Sequence, residues 1–139
     1  MRKLIERNIS GKKALIFFLL ATAVYVVMLT ITIPRIMSFS GGMKILDMMP
    51  TGYDAAYVNE LFAKLGEPGR NAYLYGQIPF DLVYPALYSI GFCLVLAWFL
   101  KKLGKFNGFL LFLCLLPVVA GFFDYCENFG IIGMLIQFP

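Results

Sequence analysis

The chain has 139 residues, of which 60% are hydrophobic and only 14% are charged. Because a soluble domain is typically about 25% charged, this chain lacks the polar surface that a water-soluble globule needs, and its length allows one domain. The net charge is +4, but the basic residues flank apolar runs and form no separate basic patch. We therefore expect an integral membrane protein and exclude a nucleic-acid-binding role.

The first apolar run, Ala14 to Ile33, contains no charged residue. At about 1.5 Å of rise per residue, a helix of this length crosses the hydrocarbon core of a bilayer. The run is longer than the apolar region of a signal peptide, and no A-x-A cleavage pattern follows it. We interpret it as an uncleaved first span, over about residues 14–34, that ends at Pro34.

The next segment, residues 36–79, is mixed in polarity and predicts an extracytoplasmic helical cap. Apolar residues recur in it at the spacing of one helix face: Val58, Leu61, Phe62 and Leu65. Gly66 follows as a typical helix stop. The pattern therefore predicts a short amphipathic helix, about residues 53–65, at the membrane interface.

Two further apolar runs predict a second span at about 80–100 and a third at about 108–126. A short basic turn, 101–107, connects them. Beyond the third span, residues 129–138 form an apolar run that is too short to cross a bilayer as a helix. Three interpretations stay open: the third helix continues beyond the membrane, the chain turns back along the interface, or a fourth span has been cut off.

The charges on the two sides of these spans predict the orientation. The N-terminal tail and the 101–107 turn contain one acid, Glu6, while the 35–81 segment contains five acids and four basic residues. The basic residues of the tail and the turn are Arg2, Lys3, Arg7, Lys12, Lys13, Lys101, Lys102 and Lys105. Because cytoplasmic flanks are rich in Lys and Arg, we expect the N-terminus in the cytoplasm and the cap outside.

Polar residues that are distant in sequence are predicted to share one level at the outer face. Arg35 closes the first span, Asp81 begins the second, and Asp124 lies about 24 Å along the third. Asp124, Glu127 and Asn128 are spaced i, i+3 and i+4, which places them on one helix face. Charges at the edge of the lipid normally face a bundle interior or a paired group.

Two interpretations of this cluster stay open. In the first, the carboxylates and the amide line an outward-facing cavity that binds a cation or an amphiphile, or a carboxylate pair transfers protons. In the second, Arg35 or Arg70 pairs with the acids, Asn128 caps a backbone group, and the network pins three helix ends. The ligand-binding candidates are Asp81, Asp124, Glu127 and Asn128, and whether a metal binds there is left open.

The sequence contains no motif for a metal centre, a cofactor or a catalytic nucleophile. The chain contains no His and no C-x-x-C pair, so we predict no haem or zinc site of the usual kind and no other cofactor. No phosphate-binding loop or nucleophile motif occurs, and we assign no catalytic residue. Lys12 and Lys13 are interpreted as an anchor for a helix end rather than as a specific lipid site.

Several stretches resemble a pattern in small multi-pass bacterial membrane proteins of unassigned function. They are PTGY at 50–53, LGEPGR at 65–70, PFD at 79–81, and the D-x-x-E-N element formed by Asp124, Glu127 and Asn128. The resemblance covers residues 30–139. It implies a bacterial plasma membrane and no particular activity, and such proteins continue past this C-terminus into another span.

Taken together, the patterns predict an all-α integral membrane bundle of three spans, with a partial or truncated fourth as the alternative, and a short outward helical cap. We expect a partner-binding or assembly subunit whose partners are the lipid bilayer and another membrane protein or a second copy. The alternatives are cation or amphiphile binding or transport at the polar cluster, and an intramembrane lipid-modifying enzyme that uses paired carboxylates.

Overall fold

The computed structural model describes residues 9–105 and 108–139, and for Gly108 and Leu111 it describes the backbone alone. Within these residues the regular structure is entirely helical, which confirms the all-α class. Among the described residues, three helices contain stretches long and apolar enough to cross a membrane. They are α1 (Gly11–Phe39), α2 (Ala55–Lys102) and α3 (Gly108–Gln137).

Part of the predicted topology falls outside the described residues. The charges of Arg2, Lys3, Glu6 and Arg7 and the turn residue Asn107 belong to this part. The other end of the 101–107 turn is described: the N–H of Gly104 bonds to the Lys101 carbonyl, and that of Lys105 to the Leu100 carbonyl at 2.9 Å. This pair of bonds, with Gly104 at a φ of +65°, ends α2 in a Schellman motif.

All three helices extend beyond the predicted spans, and the second predicted span is the last part of α2, which begins at Ala55. α1 continues past Pro34 to Phe39, and α3 continues through the D-x-x-E-N element to Gln137. Of the three interpretations of the last segment, the structure therefore has the continued third helix. The apolar run 129–138 is too short to be a span by itself, but it extends a helix that has already formed.

A widened turn explains why Pro34 does not end α1. Met28–Thr32 is a π-helical segment, in which the N–H of Ile33 bonds to the carbonyl of Met28, five residues earlier. Proline lacks an N–H and clashes with the carbonyl four residues before it. The extra residue of a π turn relieves such a conflict locally, so the helix continues through the proline.

Of the predicted outward segment 36–79, residues 36–39 belong to α1 and residues 67–79 to α2 beyond a kink at Gly66; the name cap is kept for residues 40–65, which connect these two parts. The cap contains a single 3₁₀ turn, Leu46–Met48, and the first part of α2. The Asp54 side chain accepts a hydrogen bond of 2.7 Å from the Tyr57 N–H and so caps the start of α2. Gly66, at a φ of +59°, has non-helical backbone angles and divides α2 by a kink at the predicted stop, so the part before it is the cap helix.

The described chain forms two compact units. The first contains the described residues up to Val24 together with Val83–Cys126, and its core includes Cys93, Ala97 and Cys114. Close contacts at glycines join its helices. The Phe17 backbone lies 3.4 Å from where a Cβ on Gly91 would be, so α1 and α2 approach with little side-chain material between them.

The second unit contains Tyr25–Leu82 and Glu127–Pro139. The apolar face of the cap helix is buried in it, since Leu61, Phe62 and Leu65 are at most 2% exposed. The Phe62 ring meets the Phe138 ring edge to face at 5.4 Å. The predicted amphipathic face of the cap thus packs against its own unit.

Gly121 in α3 packs closely against α2. A Cβ at this position would collide with the Ser89 hydroxyl and lie 3.2 Å from the Pro85 carbonyl oxygen. The hydroxyl can rotate away, but the backbone carbonyl cannot. We therefore expect Gly121→Ala to lower the free energy of unfolding by about 1–3 kcal/mol, measured by thermal or denaturant unfolding of the detergent-solubilised protein.

Gly130→Ala is the matched control, because it lies on the same helix and a Cβ there meets nothing within 4 Å. Alanine is also the better helix former by about 1 kcal/mol in water. This variant should be as stable as the wild type or slightly more stable. Equal losses in the two variants would contradict close packing of α3 at Gly121.

Candidate functional site

Four polar side chains meet inside the second unit, and we call this group the clasp: Thr32, Gln77, Asp81 and Asn128. Gln77 is 0% exposed, Asp81 6% and Asn128 5%. The Gln77 amide donates to Asp81 Oδ1 at 3.1 Å, and the Asn128 amide donates to the Asp81 backbone carbonyl at 2.7 Å. The Thr32 hydroxyl donates to Gln77 Oε1. The clasp is therefore a connected hydrogen-bond network.

Each of the three helices contributes to the clasp. Thr32 comes from α1, Gln77 and Asp81 come from α2, and Asn128 comes from α3. In lipid, apolar contact between helices gains little over contact with acyl chains, so interhelical hydrogen bonds and close packing hold helices together. The clasp therefore joins the three helices at one level of the second unit.

The same local sequence places Thr32 and Gln77 in the clasp. Thr32-Ile33-Pro34 and Gln77-Ile78-Pro79 both read polar-Ile-Pro, and each polar residue is the last residue of a π-helical segment. In the second segment the N–H of Ile78 bonds to the Tyr73 carbonyl, again five residues earlier. Short π segments inside α-helices occur frequently at functional sites. Here they position the two side chains that bond to each other.

The structure brings two of the predicted site residues together. Asp81 and Asn128 are both in the clasp, where the Asn128 amide satisfies a backbone carbonyl. This carbonyl belongs to Asp81, which is the first of the three predicted acids along the chain. Asn128 thus caps a backbone group, which is one part of the second interpretation; the choice between the two interpretations stays a prediction.

The other predicted residues have different surroundings. The Tyr88 hydroxyl donates to the Asp124 carboxylate at 2.7 Å, and both residues belong to the first unit. Glu127 is exposed and belongs to the second unit, as does the exposed Arg35. A ligand-binding role for Asp81, Asp124, Glu127 and Asn128 stays a prediction.

Arg70 contacts carbonyl oxygens and a ring. Its guanidinium donates to the carbonyls of Phe62 at 3.2 Å and Pro139 at 3.3 Å. It also lies 5.0 Å from the centroid of the Phe138 ring, within the range of a cation–π interaction. Arg70 thus fastens the cap helix to the end of α3 within the second unit, while its predicted role as partner of the acidic group stays a prediction.

A second polar contact fixes the cap. The hydroxyl of the fully buried Tyr73 donates to Asp47 Oδ2 at 2.7 Å. Burial raises the pKa of the Asp47 carboxyl above its ordinary value, and the hydrogen bond from Tyr73 offsets only part of this shift. Burial also raises the pKa of Tyr53, helped by the negative charges of Glu127 and Asp47. The cap therefore carries a carboxylate at some cost in stability.

The cap also carries an open cleft of about 480 Å³. Its walls include the half-buried Tyr53 and Tyr57. The Tyr57 hydroxyl donates to the Lys44 carbonyl at 2.9 Å, which holds the ring in place. Among the described residues, no three His, Cys, Asp or Glu side chains are grouped so that they could hold a metal ion. Met49, Thr51 and Asp54 line the cleft beside the two tyrosines, so it combines apolar and polar binding surface.

Sequence reasoning missed Thr32, Gln77, Tyr73 and Asp47. Thr32 and Gln77 are single uncharged polar residues beside apolar runs, and a search for charges passes over them. A usable signal was present, because both stand two residues before a proline that would otherwise disrupt a helix. The Tyr73–Asp47 contact joins residues 26 positions apart and has no local sequence signal.

Removal of the Gln77 amide from the clasp should lower the stability of the protein. Gln77→Leu takes away the group that bonds both Thr32 and Asp81, and we expect a loss of about 1–2 kcal/mol in the free energy of unfolding. Gln137→Leu makes the same chemical change at an exposed position of α3 and should leave stability nearly unchanged. Equal melting temperatures for the two variants would contradict the clasp.

The raised pKa of the Asp47 carboxyl should make the stability of the protein depend on pH. A folded-state pKa raised above the unfolded value means that stability is greatest below the unfolded pKa, about 3.9, and is lost as the pH rises through the folded pKa. Asp47→Asn should remove this loss, so the melting temperature of the variant relative to wild type should be higher at pH 7 than at pH 4. Glu67→Gln, at an exposed position, is the control. A difference between Asp47→Asn and wild type that does not change with pH would contradict the assignment.

No family model, no curated protein and no solved structure matches this chain.

Proposed function

We propose that this chain is a non-enzymatic subunit of a bacterial plasma membrane that binds another membrane protein through its cap. The N-terminus lies in the cytoplasm and the cap outside, as the distribution of Lys and Arg along the sequence supports. The observation that carries the proposal is the way in which the cap is held. It is fixed to its own unit by polar contacts at both ends and by a buried apolar face, and it presents a cleft walled by tyrosines.

The contacts that fix the cap follow one another along the chain. Ile45 and Leu46 are both 0% exposed, and the adjacent Asp47 bonds to Tyr73. At the other end, Arg70 bonds to the Phe62 carbonyl. A surface held in this way loses little conformational entropy when a partner binds, which favours affinity.

The cleft has the composition of a protein-binding surface. Tyrosine is enriched at interfaces because its ring buries a large area and its hydroxyl still finds a polar partner. Tyr53 and Tyr57 supply two such rings, and Met49 adds an adaptable apolar side chain. The exposed Thr51 and Asp54 supply polar groups at the same cleft.

The contacts of the carboxylates favour this role over acid–base catalysis. Asp81 accepts from Gln77 within the clasp, and Asp124 accepts from Tyr88. Each carboxylate thus has its own hydrogen-bond donor on α2. The Tyr88–Asp124 bond joins α2 to α3, as polar side chains in lipid typically do, and the Gln77–Asp81 bond within α2 orients Gln77 in the clasp.

Site-specific photocrosslinking tests the proposal. A photoreactive residue at Thr51, in the cleft, should give one discrete adduct in native membranes. Tyr53→Ala, in the same background, should reduce the yield of that adduct about tenfold, as expected for an aromatic hot spot. An adduct of twice the mass of the chain would identify a second copy as the partner.

Phe109, which is 77% exposed on α3, provides the control position for the photoreactive residue. It should give only diffuse lipid adducts. The proposal fails if Thr51 gives the same diffuse pattern as Phe109 and the protein extracted in native lipid discs has the mass of a monomer.

A further inference from the structure

Two clefts of the first unit share Trp98 as a wall. One, of about 380 Å³, is lined by Ile9, Trp98, Lys101 and Lys102. The other, of about 440 Å³, is lined mainly by apolar side chains of α1 and α2. These side chains include Ala14, Leu15, Phe18, Val95 and Phe99. One end of this paired cleft is therefore cationic and the rest is apolar.

The packing of α1 on α2 brings the basic end and the apolar part together. The Trp98 indole lies against Gly11, 3.1 Å from where a Cβ on that glycine would be. Further along, Phe18 meets Phe92 edge to face at 6.1 Å. The start of α1 and the end of α2 thus lie at the same level, and Lys102 Nζ stands 5.1 Å from the centroid of the Trp98 ring.

The apolar part of the cleft is open at the side of the helices. Leu15 is 56% exposed and Phe99 51%, so a chain-like apolar group can lie between them without any displacement of the helices. Trp98 occupies the junction between this apolar part and the two lysines. A tryptophan at such a junction is typical of the level at which lipid head groups meet acyl chains.

We propose that this paired cleft binds one phospholipid with a net negative head group. The phosphate binds Lys101 and Lys102, and an acyl chain lies along Leu15, Phe18 and Phe99. Charge complementarity selects the occupant: each lysine near the membrane surface attracts anionic lipid, whereas a zwitterionic lipid carries an ammonium of its own that these lysines repel. This site is in the first unit and does not depend on the role proposed for the cap.

Trp98 is the only tryptophan of the chain, so its fluorescence reports this site. The full chain in detergent micelles is titrated with phosphatidylglycerol whose acyl chains carry bromine, a short-range quencher. We expect saturable quenching with a half-point about tenfold lower than that for phosphatidylcholine brominated in the same way. Inorganic phosphate should leave the emission unchanged, because a free anion gains nothing from the apolar part of the cleft.

Each part of the cleft is tested with a double variant and with a control that makes a similar change elsewhere in the chain. Lys101→Gln with Lys102→Gln should abolish the preference for phosphatidylglycerol, whereas Lys44→Gln with Lys64→Gln removes the same charge from the second unit and should preserve it. Leu15→Ala with Phe99→Ala should weaken binding of phosphatidylglycerol. The control for this apolar pair makes the same kind of change at exposed positions of α3: Leu116→Ala with Val119→Ala.

Three results would overturn the proposal. The first is equal quenching of the wild-type protein by the two brominated lipids. The second is an equal loss of preference in the two lysine double variants, which would indicate attraction by net charge alone. The third is a saturable response to inorganic phosphate at the half-point found for phosphatidylglycerol, which would identify a simple anion site.

Discussion

A polar group buried among apolar helices must find its hydrogen bonds within the protein, because lipid offers none. This constraint accounts for the arrangement of the second unit. Gln77 can use both ends of its amide only because Thr32 lies on one side and Asp81 on the other. An apolar helix pair can slide with little change in contact area, whereas a donor and an acceptor 3 Å apart fix both position and rotation.

The cap depends on the same helix as the clasp. Along α2, Arg70 and Tyr73 both donate hydrogen bonds to the cap. Gln77 and Asp81 of the clasp follow within the next turns of the same helix. These four residues are spaced three or four positions apart along α2. The first two contact the cap, and the next two belong to the clasp. The position of the cap within the second unit is therefore set by the same continuous backbone that carries the clasp.

The fold class follows from the sequence because it rests on averages over many residues. The three spans are evident from hydropathy, since any helix with such composition avoids water. The stop at Gly66 is evident as well, because glycine adopts a positive φ without a steric penalty. The helix ends at Phe39 and Gln137 are not evident from hydropathy. A widened turn allows α1 to continue through Pro34, and α3 continues without a break to Gln137.

The candidate site is only partly evident from the sequence. Asp81 and Asn128 stand out as polar residues at the end of apolar runs, and they are partners in the clasp. Asp124 has the same appearance, yet its hydrogen-bond donor is Tyr88, which no pattern in the sequence singles out. Spacing along a helix predicts which residues share a face, but the partner on the neighbouring helix depends on rotation about the helix axis, which hydropathy does not determine.

The π turn at Tyr73–Gln77 contains one residue more than an α turn would need. One residue of an α-helix corresponds to about 100° of rotation about its axis. Every side chain after the turn consequently points to a different side from the one it would have in a regular helix. A deletion of one residue here would swing Asp81 away from Asn128 and leave the composition of the span almost untouched. The register of this helix is thus encoded by its length in residues as much as by their chemistry.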